Sequence, residues 1–243
     1  MDINFFVMAA CFCAYFVKGI VGFANTIVFT SILSFRYNNI NISPVDLWLG
    51  VPPNILMPIK ERKSIRLKKW LPIAAIVLVS DLPGMFLLKY GNASTLKVIL
   101  GVVIIGIGLE MLDRQLRPRK SKGSKKLLLG FGALTGFING LFGIGALLAA
   151  YMERTTQSAS EFRGNLCMVF LVDAIFRIIA YTCLGIVTLE SLWTAVRLVP
   201  CMLLGLGAGM FVSRFVEERK MKLVVIVVLI FSGAAICITN LMR

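Results

Sequence analysis

Apolar runs long enough to cross a lipid bilayer recur along this chain of 243 residues. A membrane-spanning helix needs roughly 20 predominantly apolar residues. Five runs have about that length, and they lie at 70–88, 94–111, 165–184, 191–212 and 222–240. Because 58% of its residues are hydrophobic, the chain holds more apolar sequence than a soluble core of this size requires. The sequence therefore predicts an all-α polytopic membrane protein that lies in the lipid bilayer.

A weaker apolar run, 44–59, contains Pro52, Pro53 and Pro58. Proline removes a backbone donor, so we expect a break in this run. Lipid tolerates such a break only where protein or a wet cavity satisfies the freed backbone groups. Carbonyl groups exposed beside Pro52, Pro53 and Asn54 would suit a transport pathway, and a simple proline kink is the alternative interpretation.

Basic residues are concentrated in short loops between the apolar runs. The formal net charge of +14 would suggest a nucleic-acid partner in a soluble protein. Here the positive-inside rule explains it, so we expect loops 60–69, 113–126 and 214–222 to be cytoplasmic and no nucleic acid to bind. Asp2 opens the chain without a basic leader, so a cleaved signal peptide is not expected.

The two halves of the chain resemble each other in sequence. Phe16–Phe23 recurs about 121 residues later as Phe137–Ile144, and Gly84–Phe86 returns about 125 residues later as Gly209–Phe211. Such self-similarity indicates an internal duplication, which is common in transporters. The predicted divisions are a first repeat at 1–112, a basic linker at 113–126 and a second repeat at 127–243.

The apolar segment 127–151 is too long for one simple crossing, and the loop charges indicate a hairpin. If it crossed once, the third basic loop would lie outside, whereas a hairpin returns that loop to the cytoplasm. Gly140, Gly143 and Gly145 interrupt the segment. Each arm of about a dozen residues would rise only ~18 Å, which is short of the ~30 Å hydrocarbon thickness.

The same argument applies to the long apolar segment 5–35, whose hairpin tip is predicted near Gly19 and Gly22. Each half then contains one hairpin and three crossing helices. Because three is odd, the two halves are predicted to be inverted in the membrane. The sequence leaves open whether the hairpins are re-entrant or cross fully.

The glycine-centred repeats resemble the TauE/SafE family of sulfite and organosulfonate permeases. The clearest motif is Gly136–Gly145, and the first copy departs from the pattern with Phe23, Ala24 and Asn25 in place of further glycines, which predicts a bulkier tip. The resemblance covers nearly the whole chain and implies a small sulfur-containing anion as substrate. After the motif follow Glu161, Phe162, Arg163, Asp173, Arg177, Tyr181 and Gly185.

The hairpin tips are the first candidate for a substrate-binding site. A helix that begins near the bilayer centre presents free backbone N–H groups and a positive helix end, which together bind anions. The alternative is that the glycines only permit close helix packing. The candidate tip residues are Gly19, Gly22, Phe23, Ala24, Asn25, Gly140, Gly143, Ile144 and Gly145.

Charged side chains within the apolar segments are the second candidate. Lys18 and its repeat mate Asn139 are candidate substrate-binding residues. The charge of Lys18 needs a partner or an anion, unless the side chain reaches an interface. Asp173 and Arg177 are four residues apart on one helical face. Either they neutralise one another, or Arg177 binds the anion while Asp173 positions it or accepts a proton.

Two further intramembrane charges, Asp81 and Arg197, occupy related depths in the two halves and are candidates for coupling or positioning. Glu161, Arg163 and Asn165 are interpreted as the solvent-exposed start of the helix that contains the apolar run 165–184.

Together these features predict a secondary transporter in the cell (inner) membrane that moves small anions by alternating access. The alternatives are a passive anion channel and a membrane redox protein that uses Cys11 and Cys13. The six cysteines lie in apolar runs without any histidine, so no metal, no cofactor and no enzymatic activity are expected. No Walker sequence is present, and a homodimer is one of the assemblies left open.

Overall fold

The computed structural model describes residues 3–21, 24–116, 125–145, 147–149, 152, 156, 158–213, 215 and 218–241. This part of the chain is mostly helical and contains no strand, which confirms the predicted all-α class. Residues 147–149 are also helical, and a 3-10 turn at Arg62–Ser64 follows the third helix. The helices are α1 Phe5–Val21, α2 Asn25–Leu33, α3 Asn39–Lys60, α4 Leu67–Tyr90, α5 Ala93–Leu116, α6 Lys125–Phe142, α7 Ala159–Cys183, α8 Leu189–Val212 and α9 Glu218–Leu241.

Several of these helices have the length and composition of membrane spans. Leu67–Tyr90, Ala93–Asp113, Ser160–Cys183 and Leu189–Val212 are each long and apolar enough to cross a bilayer. Large apolar side chains project outward from these helices, as lipid rather than water would favour. The chain is a multi-pass membrane protein. Shorter apolar helical segments occur at Phe5–Ile20, Gly132–Phe142 and Leu229–Asn240.

The third helix corrects one sequence expectation. Instead of breaking at its prolines, α3 continues without interruption from Asn39 to Lys60. The φ angle of proline suits a helix, and each proline frees only the carbonyl group four residues earlier. Pro52, Pro53 and Pro58 are therefore accommodated inside the helix.

Both predicted hairpin segments are interrupted near the expected positions. The first break separates α1 from α2, and Ala24, before α2, has a φ of 74°. The second follows α6, where Gly143 has a φ of 74° and residues 143–145 are not helical. A left-handed φ costs alanine roughly 1 to 2 kcal/mol, whereas glycine adopts it freely.

The first arm of each hairpin is longer than the dozen residues expected from the glycine positions, whereas α2, the second arm of the first hairpin, has 9 residues. α1 has 17 residues and α6 has 18, which correspond to about 25 and 27 Å at 1.5 Å per residue. The difference arises because Gly19 and Gly140 lie inside these helices rather than at the tips. Gly22 and Phe23 lie outside the described residues.

Two compact units make up the chain, and each contains sequence from both predicted repeats. Unit 1 comprises Met1–Leu49, Tyr90–Pro118 and Thr188–Arg243. Unit 2 comprises Gly50–Lys89 and Arg119–Val187.

In unit 1, α1 packs against α8 and α5 packs against α9. In both pairs the helices come closest at glycine residues. A Cβ atom at Gly209 of α8 would overlap the carbonyl oxygen of Phe16 in α1, and one at Gly19 would overlap the α8 backbone. Gly101 and Gly233 form a similar close contact between α5 and α9. Small residues at these positions allow the helix backbones to approach closely.

In unit 2, α4 packs against α6 at a contact of the same kind. A Cβ atom at Gly84 of α4 would overlap the carbonyl oxygen of Phe137 in α6, and one at Gly140 would overlap that of Asp81. Phe137 and Gly84 are the sequence-repeat mates of Phe16 and Gly209. The contact between these repeat mates is therefore present in both units.

Candidate functional site

A cluster of polar side chains is buried in unit 2. This buried polar cluster consists of Asp81 of α4, Asn139 of α6, and Asp173, Arg177 and Tyr181 of α7. None of the five residues is more than 4% exposed. Because α4 and α7 are candidate membrane spans, these ionisable groups lie where such groups are costly and usually functional.

The side chain of Asn139 connects the two acidic residues of the cluster. Its Nδ2 atom donates to Asp173 Oδ2 at 2.9 Å and to the two carboxylate oxygens of Asp81 at 3.2 and 3.4 Å. An amide NH₂ group carries two donors, and each one here faces a different carboxylate. The structure thus brings together Asn139, a candidate substrate ligand, and two acidic residues that were both candidates for coupling or positioning.

Arg177 is held in place by Tyr181. Nη2 of Arg177 donates to the hydroxyl oxygen of Tyr181 at 2.8 Å, and that hydroxyl donates to the carbonyl oxygen of Gly140 at 2.9 Å. Asp173, Arg177 and Tyr181 are spaced four apart, so they share one face of α7. Sequence reasoning quoted Tyr181 only as part of a motif, although this spacing was a signal for its role.

Asp173 and Arg177 do not form a direct ion pair with each other in the described part of the chain. Asp173 instead accepts a hydrogen bond from Asn139, and Arg177 donates one to Tyr181. Buried Asp173 Oδ1 and Arg177 Nε have no hydrogen-bond partner among the described residues. A buried guanidinium with an unused N–H group has the geometry of an anion ligand.

The sequence candidate Lys18 lies in unit 1, in the last turn of α1. Its Nζ atom lies 5.8 Å from the centroid of the Tyr15 ring, within the range of a cation–π contact. The sequence analysis predicted the tip of the first hairpin, and with it the start of a half-helix, near the neighbouring Gly19. The structure places Lys18 near a helix C-terminus instead, where the helix dipole favours a cation.

A polar contact that the sequence analysis missed follows the first hairpin break. Thr26 Oγ1 donates to Asp46 Oδ2 at 2.6 Å, and Asn25 Nδ2 lies 3.4 Å from Thr26 Oγ1. Asn25 and Asp46 are 8% and 5% exposed. An acidic residue inside the apolar run 44–59 was the available signal for Asp46.

The second hairpin break is tightly packed. Ile144 is 1% exposed, and a Cβ atom at Gly145 would overlap the ring of Phe170. Gly143 supplies the left-handed turn that ends α6. Close packing therefore accounts for Gly145, and a role for this tip in binding remains a prediction.

The sequence model of the family described as "Sulfite exporter TauE/SafE" matches residues 7–236. The chain belongs to the TauE/SafE family. This match agrees with the resemblance of the glycine-centred motifs. No curated protein matches the sequence, and no solved structure matches it.

The cysteine pair of this TauE/SafE protein is poorly placed for redox chemistry. Cys11 is buried, with its Sγ atom 3.8 Å from the Leu198 carbonyl oxygen, whereas Cys13 is exposed. Residues two apart on a helix point to different faces, so a disulfide would require α1 to unwind.

Arg197 of the TauE/SafE chain is exposed on α8 and belongs to unit 1, whereas Asp81 belongs to the buried polar cluster. The proposed relation between these two charges stays a prediction.

The first turns of α7, which the sequence analysis expected to be exposed to solvent, are buried at Glu161 and Asn165. Glu161 is 5% exposed, and its Oε1 atom lies 2.7 Å from Lys69 Nζ and 3.4 Å from Arg66 Nε. Asn165 is fully buried and accepts from the backbone N–H of Arg66 at 2.9 Å. The basic loop therefore covers this helix end, and the side chain of Arg163 lies outside the described residues.

Proposed function

We propose that this protein is a secondary transporter of small sulfur-containing anions such as sulfite, thiosulfate or organosulfonates. The family match supports membrane transport of sulfite-like anions. The observation that carries the site assignment is the buried guanidinium of Arg177, whose Nε–H group has no hydrogen-bond partner among the described residues.

Arg177 suits an oxyanion for electrostatic and geometric reasons. A guanidinium presents several donors in one plane and pairs with two oxygen atoms of an anion at once. Tyr181 fixes one side of the guanidinium through Nη2, so less side-chain freedom is lost when an anion binds at the remaining donors. The substrate would therefore complete the hydrogen bonding of Arg177.

Alternating access between two inverted repeats is the proposed mechanism. The paired contacts Gly209 with Phe16 and Gly84 with Phe137 support a duplicated architecture. In this proposal each repeat contains one hairpin and three crossing helices, and the basic loops face the cytoplasm from an inner membrane. The candidate tips, which include Ala24 and Asn25 in unit 1 and Gly143 in unit 2, are proposed to bind the anion through backbone N–H groups.

A thermal-shift screen of the purified protein tests the substrate class. The panel is sulfite, sulfate, thiosulfate, taurine and sulfoacetate. A ligand at 100 times its dissociation constant adds about 2.7 kcal/mol to the folded state, so a true substrate should raise the melting temperature clearly. Arg177→Gln should lose that shift. Arg36→Gln, which removes an exposed guanidinium, should keep it.

If no sulfur anion shifts the wild-type protein, the proposed substrate class is wrong. If anions stabilise Arg177→Gln as strongly as wild type, the substrate is right and the assignment of Arg177 is wrong.

A further inference from the structure

The buried polar cluster contains more acidic groups than basic ones. Asp81 and Asp173 each carry a carboxyl group, and Arg177 is the one cation among the cluster's side chains. α6 contributes the neutral Asn139, and among the described residues of the cluster the other titratable group is the hydroxyl of Tyr181 on α7. With both carboxyl groups ionised, the cluster would carry an uncompensated negative charge.

The two carboxyl groups are held close together. The single nitrogen atom Nδ2 of Asn139 lies within 3.4 Å of oxygen atoms from both Asp81 and Asp173. Like charges at such separations repel strongly in a buried, water-poor environment. Protonation of one carboxyl group of the pair would relieve this repulsion.

An anion at Arg177 would increase the repulsion. Arg177 shares its helix face with Asp173, so a bound anion would add negative charge beside an existing carboxylate. A proton taken up by the pair would offset that charge. Asp173 Oδ1 is buried and has no hydrogen-bond partner among the described residues, so it is an oxygen on which the proton can reside.

We propose that Asp81 and Asp173 form a proton-binding site, and that binding of the substrate anion at Arg177 is coupled to uptake of a proton at this pair. The step breaks one O–H bond of a hydronium ion from solution, which leaves a water molecule, and forms one O–H bond on a carboxylate oxygen, with no electron transfer. The coupling rests on the proposed anion transport, whereas the proton site does not depend on the identity of the substrate.

The orientation of Asn139 favours a proton over a sodium ion. Its amide nitrogen faces both carboxylates and donates to them. A sodium ion prefers oxygen ligands, so it would require the amide oxygen of Asn139, rather than its nitrogen, to face the carboxylates.

Thiosulfate binding tests the coupling, because the charge of thiosulfate does not change across the neutral range. We would titrate the purified full chain by calorimetry in buffers of different ionisation enthalpy, which counts the protons taken up. At a pH above the midpoint at which the anion-free pair titrates, wild type should take up about one proton per anion, and its affinity should fall roughly tenfold for each unit of rising pH. Asp81→Asn and Asp173→Asn should each flatten this dependence.

Binding of thiosulfate without proton uptake, or uptake that persists in both aspartate variants, would overturn the coupling. An affinity that depends on sodium and not on pH would assign the site to a sodium ion instead.

Infrared difference spectroscopy tests the proton site without any anion. The C=O stretching band of a protonated carboxyl group should titrate in wild type and be lost in Asp81→Asn or Asp173→Asn. Asp46→Asn, which removes a buried carboxyl group of unit 1, should retain it. A band that survives both cluster variants and disappears in Asp46→Asn would overturn the proposal, even if thiosulfate does not bind. Size-exclusion chromatography checks that each variant is folded.

Discussion

Arg177 and Tyr181 are joined by a hydrogen bond of 2.8 Å on one face of α7, and both side chains are buried. The Tyr181 hydroxyl also donates to the carbonyl oxygen of Gly140, so it links α7 to α6. The residue that we propose as the anion ligand is therefore fixed by a second residue that also connects two helices of unit 2.

Tyr181→Phe should destabilise the protein, because it leaves Arg177 Nη2 and the Gly140 carbonyl oxygen without this partner. Hydrogen bonds to charged groups contribute about 1.5 to 3 kcal/mol, and a loss of that order is expected in the free energy of unfolding. Tyr15→Phe is the matched control. Tyr15 is equally buried, but its hydroxyl has no hydrogen-bond partner among the described residues. Equal losses in both variants, measured by denaturant titration in detergent, would contradict this account.

Gly209→Ala should disrupt the contact between α8 and α1. The added methyl group would overlap the carbonyl oxygen of Phe16, which is backbone and cannot turn aside. Overpacking of this kind costs about 1 to 3 kcal/mol. Gly207 lies on the same helix, and no atom is within 4 Å of a Cβ atom added there. The melting temperature of the Gly207→Ala protein should therefore be unchanged or slightly higher than that of wild type. The prediction fails if the two variants melt alike.

Lys18→Gln separates a structural role from a binding role. Lys18 lies in the last turn of α1 beside the Tyr15 ring, so we expect lower thermal stability with an anion affinity within about twofold of wild type. A loss of roughly tenfold or more in affinity, about 1.4 kcal/mol, in a well-folded variant would place Lys18 at the substrate.

Cysteine accessibility tests the inverted topology. In a cysteine-free background, Ser94→Cys reports on the loop between α4 and α5, and Phe215→Cys reports on the loop after α8. Both positions are exposed. If 127–151 folds back as a hairpin, a membrane-impermeant reagent should label them from opposite sides. Labelling from the same side would show that this segment crosses the membrane fully.

The helices could be predicted from the sequence because apolar runs of membrane length are a strong local signal. The continuity of α3 could not, since a proline in lipid permits either a break or an accommodated helix. The role of Gly140 inside α6 could not be predicted either, because it is a close contact with Asp81, which lies 59 residues earlier in sequence. The same limit applies to the cluster, because only tertiary packing shows that Asn139 joins Asp81 to Asp173.

Solute counterflow in proteoliposomes tests the central claim most directly. Vesicles that hold the purified protein are loaded with unlabelled sulfite and diluted into a trace of labelled sulfite. An alternating-access transporter with Arg177 in its site predicts transient accumulation of label in wild type and in Arg36→Gln, with less than about a tenth of that rate in Arg177→Gln, as expected when a buried charge-assisted contact is lost. Equilibration of label without transient accumulation would indicate a channel, and exchange at the wild-type rate in Arg177→Gln would contradict the proposed site.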